Sequence, residues 1–193
     1  MNKTRLEAFS DGVFAIIITI MVLEIKVPHG EDWNALKSVL PQFISYVISF
    51  SYVGIYWMNH HHFVHTLNKV TTPILWSNIF LLFWLSLVPV ATDWMGESHF
   101  ATPPVATYAL LLLISGIAYS IFGLHIEKKN KSPEKFKKAF SGLKRKSIIS
   151  VLLYSVAFIF AFINTIVSCF LFLLVAIMWF IPDKKIEHIL LDE

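Results

Sequence analysis

An aspartate beside an apolar helix is the first residue of this chain whose chemistry stands out. Asp11 precedes an apolar run, Gly12 to Leu23, in which Thr19 is the only polar break. A carboxylate in such a place could relay protons, bind a cation or accept structural hydrogen bonds. Since an acid is costly in lipid, we expect Asp11 to face protein or water.

A second group of polar side chains lies near the end of the next apolar segment: Trp57, Asn59, His60, His61, His62, His65 and Asn68. His61 and His65 are four residues apart, so they share one helix face and could bind a metal together. No acidic or cysteine ligand is near them in the sequence. Histidines at a membrane interface, anchored by a tryptophan, are therefore the favoured interpretation, and a metal-dependent hydrolase is the weaker one.

The composition requires a membrane around these residues. Of the 193 residues, 56% are hydrophobic and 15% are charged, against about 25% charged in a soluble domain. A soluble core of this length could not hide so much apolar surface. The one cysteine, Cys169, excludes an internal disulfide. The first apolar stretch follows Lys3 and Arg5 without a small-residue cleavage site, so we expect it to be retained.

Six apolar segments predict membrane-crossing helices, at 5–26, 40–66, 74–94, 103–125, 146–163 and 166–182. Each is close to the roughly 20 residues that a crossing helix needs. The last two predict a tight hairpin or, alternatively, one long helix. Pro89 should kink the third segment, and residues 31–40 predict a short surface helix. We expect residues 1–193 to form a single all-α domain.

The basic residues predict the orientation of these six segments. An even number of crossings puts both termini on one side, and that side holds fourteen of the sixteen Lys and Arg residues. Nine of them lie between Lys128 and Lys146. The excess of positive charge predicts that both termini are cytoplasmic. It is read as a topology signal, with anionic lipid headgroups as possible partners, and nucleic acid is not expected as a partner.

The first helix presents an apolar ridge on one face. At 100° per residue, Ile16, Ile20 and Leu23 fall on one side, and Phe9 and Gly12 share it. Thr19 flanks this ridge, whereas Asp11 lies close to the opposite face. Such a stripe usually packs against another helix, and its pattern alone does not indicate a pore.

Several polar residues are expected at a similar depth, towards the cytoplasmic side: Arg5, Ser10, Asp11, His60 and Asn78. An amide within a span, such as Asn78, should form hydrogen bonds across helices. The topology therefore predicts that these side chains meet in one network.

These residues together resemble a known family. The start RLEAFSDGVFAIIITIMVLEIKVP is similar to the R-x-x-x-F-S-D signature of the transmembrane protein 175 family of potassium channels, closest to its bacterial single-repeat members. Trp57-x-x-His60 resembles the motif of the family's second helix. Asn78, with Pro89 eleven residues on, resembles the third. The last three helices add only length and hydropathy.

The resemblance implies a homotetramer around a central pore, lined by the first helix of each subunit. It implies a potassium-permeable leak-type channel with no Thr-Val-Gly-Tyr-Gly filter, no enzymatic activity and no cofactor besides the permeant K⁺. The pore constriction would consist of Ile16, Thr19, Ile20 and Leu23, with Ile16 as its main ring. The side chains expected to hold the first helix in place are Arg5, Phe9, Ser10, Asp11, Trp57, His60 and Asn78. The cell membrane, its lipids and monovalent cations are the expected surroundings and partners.

Rings of apolar side chains can gate a pore by dewetting, excluding water when narrow and passing ions when wider. The main alternative is a proton-coupled transporter of small solutes or ions that uses Asp11 and the histidines.

Overall fold

The computed structural model describes residues 2–67, 69–129 and 133–181, with side chains throughout except at 133–140. These residues contain helices and no β-strand. The helices are α1 (Lys3–Leu23), α2 (Trp33–Ser38), α3 (Leu40–His65), α4 (Thr72–Leu85), α5 (Val88–Glu97), α6 (Thr102–Glu127), α7 (Pro133–Ala161) and α8 (Thr165–Phe180). They lie at the six apolar segments and at the short surface segment for which the sequence predicts helix, so the all-α prediction is confirmed for the described residues.

Prolines and capping side chains determine where these helices begin. Helices α3, α4, α5 and α6 each carry a proline in the first turn, where its missing N–H breaks no helical hydrogen bond. Asp32 accepts a hydrogen bond from the Ala35 N–H at 2.9 Å and caps α2. Asn164 caps α8 in the same way, through the N–H of Ile166 at 3.0 Å.

The break between α4 and α5 confirms the predicted effect of Pro89. Helix α4 ends at Leu85, and Pro89 is the second residue of α5. Pro89 has no N–H to donate to the Leu85 carbonyl. Just before it the chain tightens, and the Leu87 N–H bonds to the carbonyl of Trp84, three residues back, at 3.3 Å.

Helices α7 and α8 form the predicted hairpin and not one long helix. The Ser168 hydroxyl donates to the Ala157 carbonyl at 2.7 Å, and the Trp179 indole donates to Ser150 Oγ at 2.8 Å. The start of α8 thus meets the end of α7, and its end meets the middle of α7. Helix α7 extends back to Pro133, well before the apolar segment that starts at residue 146.

The interior is built around α3 and α6. Helix α6 packs against α4, α5, α7 and α8, and α3 packs against α1, α5 and α8. Buried tyrosines find partners there: the Tyr52 hydroxyl donates to the Phe172 carbonyl at 2.6 Å, and the Tyr108 hydroxyl shares a hydrogen bond with Ser49 Oγ at 2.8 Å. These bonds offset the cost of burying the hydroxyls in an apolar interior.

The outside of the bundle has the character of a membrane protein. Three described stretches, Lys3–Leu23, Thr72–Glu97 and Thr102–Glu127, are long and apolar enough to cross a bilayer, and Thr165–Phe180 is a shorter apolar helix. Large apolar side chains cover much of the outer surface, including Phe162, Ile166 and Phe170. Soluble monomers rarely expose continuous apolar patches of this extent. The chain is a membrane protein.

Candidate functional site

Helix α1 divides its residues between a buried face and an exposed face. The buried face is formed by Leu6, Ser10, Phe14, Ile17 and Met21, which recur every three or four residues. This spacing keeps them on one side of the helix. On that side α1 packs against α3, α4 and α5.

The exposed face of α1 carries the ridge that the sequence identifies. Its large apolar members Phe9, Ile16, Ile20 and Leu23 are 56%, 58%, 41% and 79% exposed. We call Phe9, Gly12, Ile16, Thr19, Ile20 and Leu23 together the α1 stripe. All six residues are exposed, so the described part of a single chain leaves the stripe uncovered. The Thr19 hydroxyl donates to the Ile16 carbonyl at 3.0 Å.

A chain of hydrogen bonds connects the buried face of α1 to α3 and α4. His60 Nε2 lies 2.7 Å from the Asn78 side-chain oxygen, and because that oxygen can only accept, His60 carries its proton on Nε2. The Asn78 amide donates to Ser10 Oγ at 3.0 Å, and Ser10 donates to the Leu6 carbonyl at 2.9 Å. All three side chains are at most 1% exposed. Three of the predicted network residues thus form one buried cluster.

Aromatic neighbours fix the orientation of the His60 ring within this cluster. The ring stacks on Phe122 of α6, with centroids 5.1 Å apart and planes 4° from parallel. Phe14 of α1 approaches it edge-on, at a centroid distance of 5.6 Å. The imidazole is therefore held between α1 and α6 while its Nε2 is directed at Asn78.

Asp11 makes a separate link between α1 and α3. The Trp57 indole N–H donates to Asp11 Oδ1 at 2.9 Å. Asp11 is half-buried and Trp57 is 45% exposed, so this pair lies nearer the surface than the cluster around Asn78. A carboxylate held by a charge-assisted hydrogen bond can fix the rotation of α1 against α3.

The remaining predicted network residues lie outside the buried cluster. Arg5 is exposed, and its guanidinium bonds to none of the residues that the structure describes. Phe9 belongs to the α1 stripe and points about 100° away from the adjacent Ser10. Lys3 does contact α3, by donating to the His65 carbonyl at 2.6 Å.

Two contacts near the ends of α1 were not anticipated from the sequence. Glu7 Oε1 lies 3.1 Å from His61 Nδ1, and at the opposite end Lys26 pairs with Glu97 of α5. Hydrogen bonding to the Glu97 carboxylate, and its negative charge, raise the pKa of Lys26 above its ordinary value. The sequence did place Lys26 and Glu97, which carry opposite charges, at the same side of the membrane. Whether two such residues pair depends on how their helices are rotated.

The histidines after His60 stay near one another without forming a metal centre. The His61 ring centroid is 6.1 Å from those of His62 and His65. Among the described residues no three His, Cys, Asp or Glu side chains are grouped so that they could hold a metal ion. Asn68, the last member of this polar group in the sequence, lies outside the described residues.

Known proteins resemble this chain over much of its length. Residues 5–89 match the family model described as the endosomal/lysosomal potassium channel TMEM175. A potassium channel of Chryseobacterium sp. is 52% identical over 187 residues, which cover 97% of each chain. A potassium channel of Streptomyces collinus is 34% identical over 135 residues, covering 65% of this chain and 66% of that one.

A solved structure has the same fold. The crystal structure of a lysosomal potassium-selective channel TMEM175 homolog from Chamaesiphon minutus matches with a TM-score of 0.80 at 28% identity, covering 92% of this chain and 95% of that chain. The residues that match the family model include most of α1, the Trp57–His60 segment and Asn78. The chain belongs to the transmembrane protein 175 family.

Proposed function

We propose that this chain forms a potassium-permeable, leak-type channel in which α1 lines the conduction pathway. Four copies surround a central axis, and the α1 stripe of each faces that axis. The observation that carries the proposal is the uncovered stripe on α1, in a chain 52% identical to a bacterial potassium channel. A stripe that the single chain leaves open is available to other copies.

The orientation follows from charge. Six crossings of the cell membrane put both termini and the basic segment 128–146 on the same side. Their excess of Lys and Arg makes that side the cytoplasmic one. The Asn78 cluster and the Asp11–Trp57 pair then lie in the cytoplasmic half, and Lys26 with Glu97 lies near the outer mouth. The anchors on the buried face of α1 hold its opposite face towards the axis.

The constriction is made of apolar side chains from four copies. Ile16, Ile20 and Leu23 follow one another along α1, so each forms a ring, and Ile16 is the main one. A narrow ring of this kind excludes water, whereas a slightly wider ring passes ions. Discrimination between K⁺ and Na⁺ comes from the different costs of removing their water.

The Thr19 hydroxyl donates its proton to the Ile16 carbonyl, so its oxygen keeps lone pairs that can accept from water or contact a cation where ions lose water. Potassium is the permeant cargo, and the mechanism requires no resident cofactor. The lipid bilayer and further copies of the chain are the partners that such a channel needs.

A flux assay on the purified protein tests the proposal. Protein shown to be tetrameric by light scattering is placed in liposomes loaded with K⁺. The expected result is K⁺ release down its gradient without an energy source, at a rate proportional to the protein added. Verified tetramers that release no K⁺, or saturable uptake that depends on a proton gradient, would overturn the channel proposal.

A further inference from the structure

A cleft between α6 and α7 lies apart from the α1 stripe. Its volume is about 440 Å³, within the range of pockets that hold whole small ligands. Most of its surface is apolar, contributed by Phe63, Leu124, Leu143 and Ile148, and Gly123 lies in its wall. Neither the proposed pore nor the anchors of α1 account for it.

Polar and charged side chains line parts of the cleft between its apolar walls. At one end the hydroxyls of Ser120 and Ser147 share a hydrogen bond of 2.7 Å. Nearer the end of α6, Glu127 and Ser141 line it, and Lys144 lies between them and Ser147, one helical turn before Ser147. Apolar walls that lead to charged residues match the shape and polarity of an amphiphile.

Positive charge dominates the sequence around the charged end. Residues 128–146 contain nine Lys and Arg residues and one acid. Lys144 is exposed and lies on the α7 face that lines the cleft, one turn before Ser147 and Ile148. Arg145 is also exposed, but it is the next residue on the helix and therefore points about 100° away.

We propose that the α6–α7 cleft binds one anionic phospholipid of the cytoplasmic leaflet. An acyl chain lies along Leu124, Leu143 and Ile148, and the headgroup phosphate bonds to Lys144. Basic side chains next to a cytoplasmic-side pocket attract anionic lipid, and that leaflet is where such lipid is held electrostatically. The inference rests on the proposed orientation of the channel, but not on conduction.

Lipid retention measures this site directly. The full-length protein is purified with phosphatidylglycerol or with phosphatidylcholine of identical acyl chains, and retained lipid is counted per subunit by native mass spectrometry. Phosphatidylglycerol should remain bound at about one per subunit and phosphatidylcholine should be lost. Equal retention of both lipids would overturn the requirement for an anionic headgroup, and with it the proposal.

Two matched variants locate the headgroup. Lys144→Gln should weaken phosphatidylglycerol retention roughly fivefold, the effect expected for one cation near an anionic surface. Arg145→Gln removes the same charge from the adjacent position and should change retention less than twofold. Equal losses in both variants would mean diffuse attraction to the basic segment, and would overturn a defined site.

A cleft-filling variant locates the acyl chain. Ile148→Trp keeps every charge and, because Ile148 is 55% exposed, should fold normally, which thermal unfolding checks. It should lower phosphatidylglycerol retention at least fivefold. Unchanged phosphatidylglycerol retention in Ile148→Trp would place the lipid elsewhere and would overturn the proposal. Retention that appears only after residues 182–193 are removed would assign the cleft to the chain's own carboxyl-terminal segment and would overturn it as well.

Potassium flux in the same preparations separates this inference from the channel. Loss of lipid retention with K⁺ flux intact would contradict the lipid site and leave the channel proposal standing. Bound lipid in protein that conducts no K⁺ would instead contradict the channel and leave the lipid site standing.

Discussion

Helices α1 and α8 both expose apolar faces, yet the two faces differ in composition. On α8 the exposed residues are all large and apolar: Ile166, Phe170, Leu173, Leu174, Ile177 and Phe180. The α1 stripe instead interleaves large side chains with Gly12 and Thr19, and Glu24 lies just beyond its carboxyl-terminal end. Exposure alone does not distinguish these helices, but their composition does.

The difference indicates what each face contacts. An unbroken surface of large apolar side chains suits lipid, which offers no polar partner. Small residues let helices approach closely, and polar groups near a stripe suit a surface that water and ions reach. The comparison therefore supports the proposal that α8 faces lipid and that α1 faces the assembly axis.

Both helices are held by polar bonds on their buried sides. On α8, Ser168 and Trp179 bond to the neighbouring α7. On α1, Ser10 connects through Asn78 to His60 and so joins three helices. Helix α8 is joined to α3 as well, because its Phe172 carbonyl accepts from Tyr52. The α1 bonds differ in forming one continuous buried chain of side chains, which suits the proposed role of α1 in positioning a pore ring.

The largest expected effect comes from making the same substitution on both faces. Ile16→Asn should raise cation flux roughly tenfold and reduce K⁺ over Na⁺ discrimination, because a polar ring stays hydrated where an isoleucine ring dewets. Ile177→Asn is the matched control, since Ile177 is 61% exposed and Ile16 is 58% exposed. Flux of K⁺ and Na⁺ from liposomes measures both variants.

The control should leave flux and selectivity unchanged. A larger flux change in Ile177→Asn than in Ile16→Asn would reverse the assignment of the two faces.

Breaking the α1 anchor should have the next largest effect. Asn78→Leu leaves the His60 N–H without its acceptor and Ser10 without its donor, at a cost of roughly 2–3 kcal/mol in unfolding free energy. Ser168→Ala on α8 removes one bond to a carbonyl that is already within a helix, and should cost less than about 1 kcal/mol. Thermal unfolding in detergent compares the two variants.

The same pair of variants also separates flux from stability. Asn78→Leu should alter K⁺ flux and Ser168→Ala should not. Comparable flux changes in both variants would mean that the α1 anchor has no special role in positioning the pore.

A smaller effect is expected from the bond between Trp57 and Asp11. Trp57→Phe keeps the aromatic packing and removes the N–H donor, and water can replace it because the pair is partly exposed. We expect a loss of about 1 kcal/mol or less and a change in K⁺ flux of about twofold. A complete loss of flux with the fold preserved would show that Asp11 does more than position α1.

The smallest effect concerns the outer end of α1. Lys26→Gln frees the Glu97 carboxylate near the proposed mouth and should raise K⁺ flux about twofold at low salt, with the gain disappearing as salt screens the charge. Because the pKa of Lys26 is raised, the pair is fully formed below the ordinary lysine value of 10.5 and is lost only as pH rises through the higher value. Lys26 should therefore stay protonated from pH 6 to 8, and the difference in K⁺ flux between wild type and Lys26→Gln should not change with its titration there. Loss of the Lys26–Glu97 pair within that range would contradict the raised pKa.

Features set by local rules could be predicted from the sequence. Helical periodicity places Ile16, Ile20 and Leu23 on one face, and the structure exposes all three. The missing N–H of Pro89 breaks the third segment, and the short 162–164 connection gives a hairpin. These outcomes depend on residues close together in the chain.

Contacts between distant helices were harder to predict. A similar expected depth in the membrane predicts that Ser10, His60 and Asn78 contact one another. The same reasoning includes Arg5, which lies at the surface. The Glu7–His61 and Lys26–Glu97 pairs depend on the rotation of α1 against α3 and α5, which packing fixes and a single sequence does not reveal. The α6–α7 cleft likewise exists only once those helices are packed.

Cysteine cross-linking tests most directly whether the α1 stripe faces a shared axis. In a Cys169→Ser background, Ile16→Cys and Ile177→Cys are oxidised separately in membranes and analysed by non-reducing electrophoresis. A stripe that faces the axis predicts linked subunits for position 16 and monomers for position 177. Monomers at position 16, or cross-linking confined to position 177, would show that the stripe meets lipid and would contradict the channel built on it.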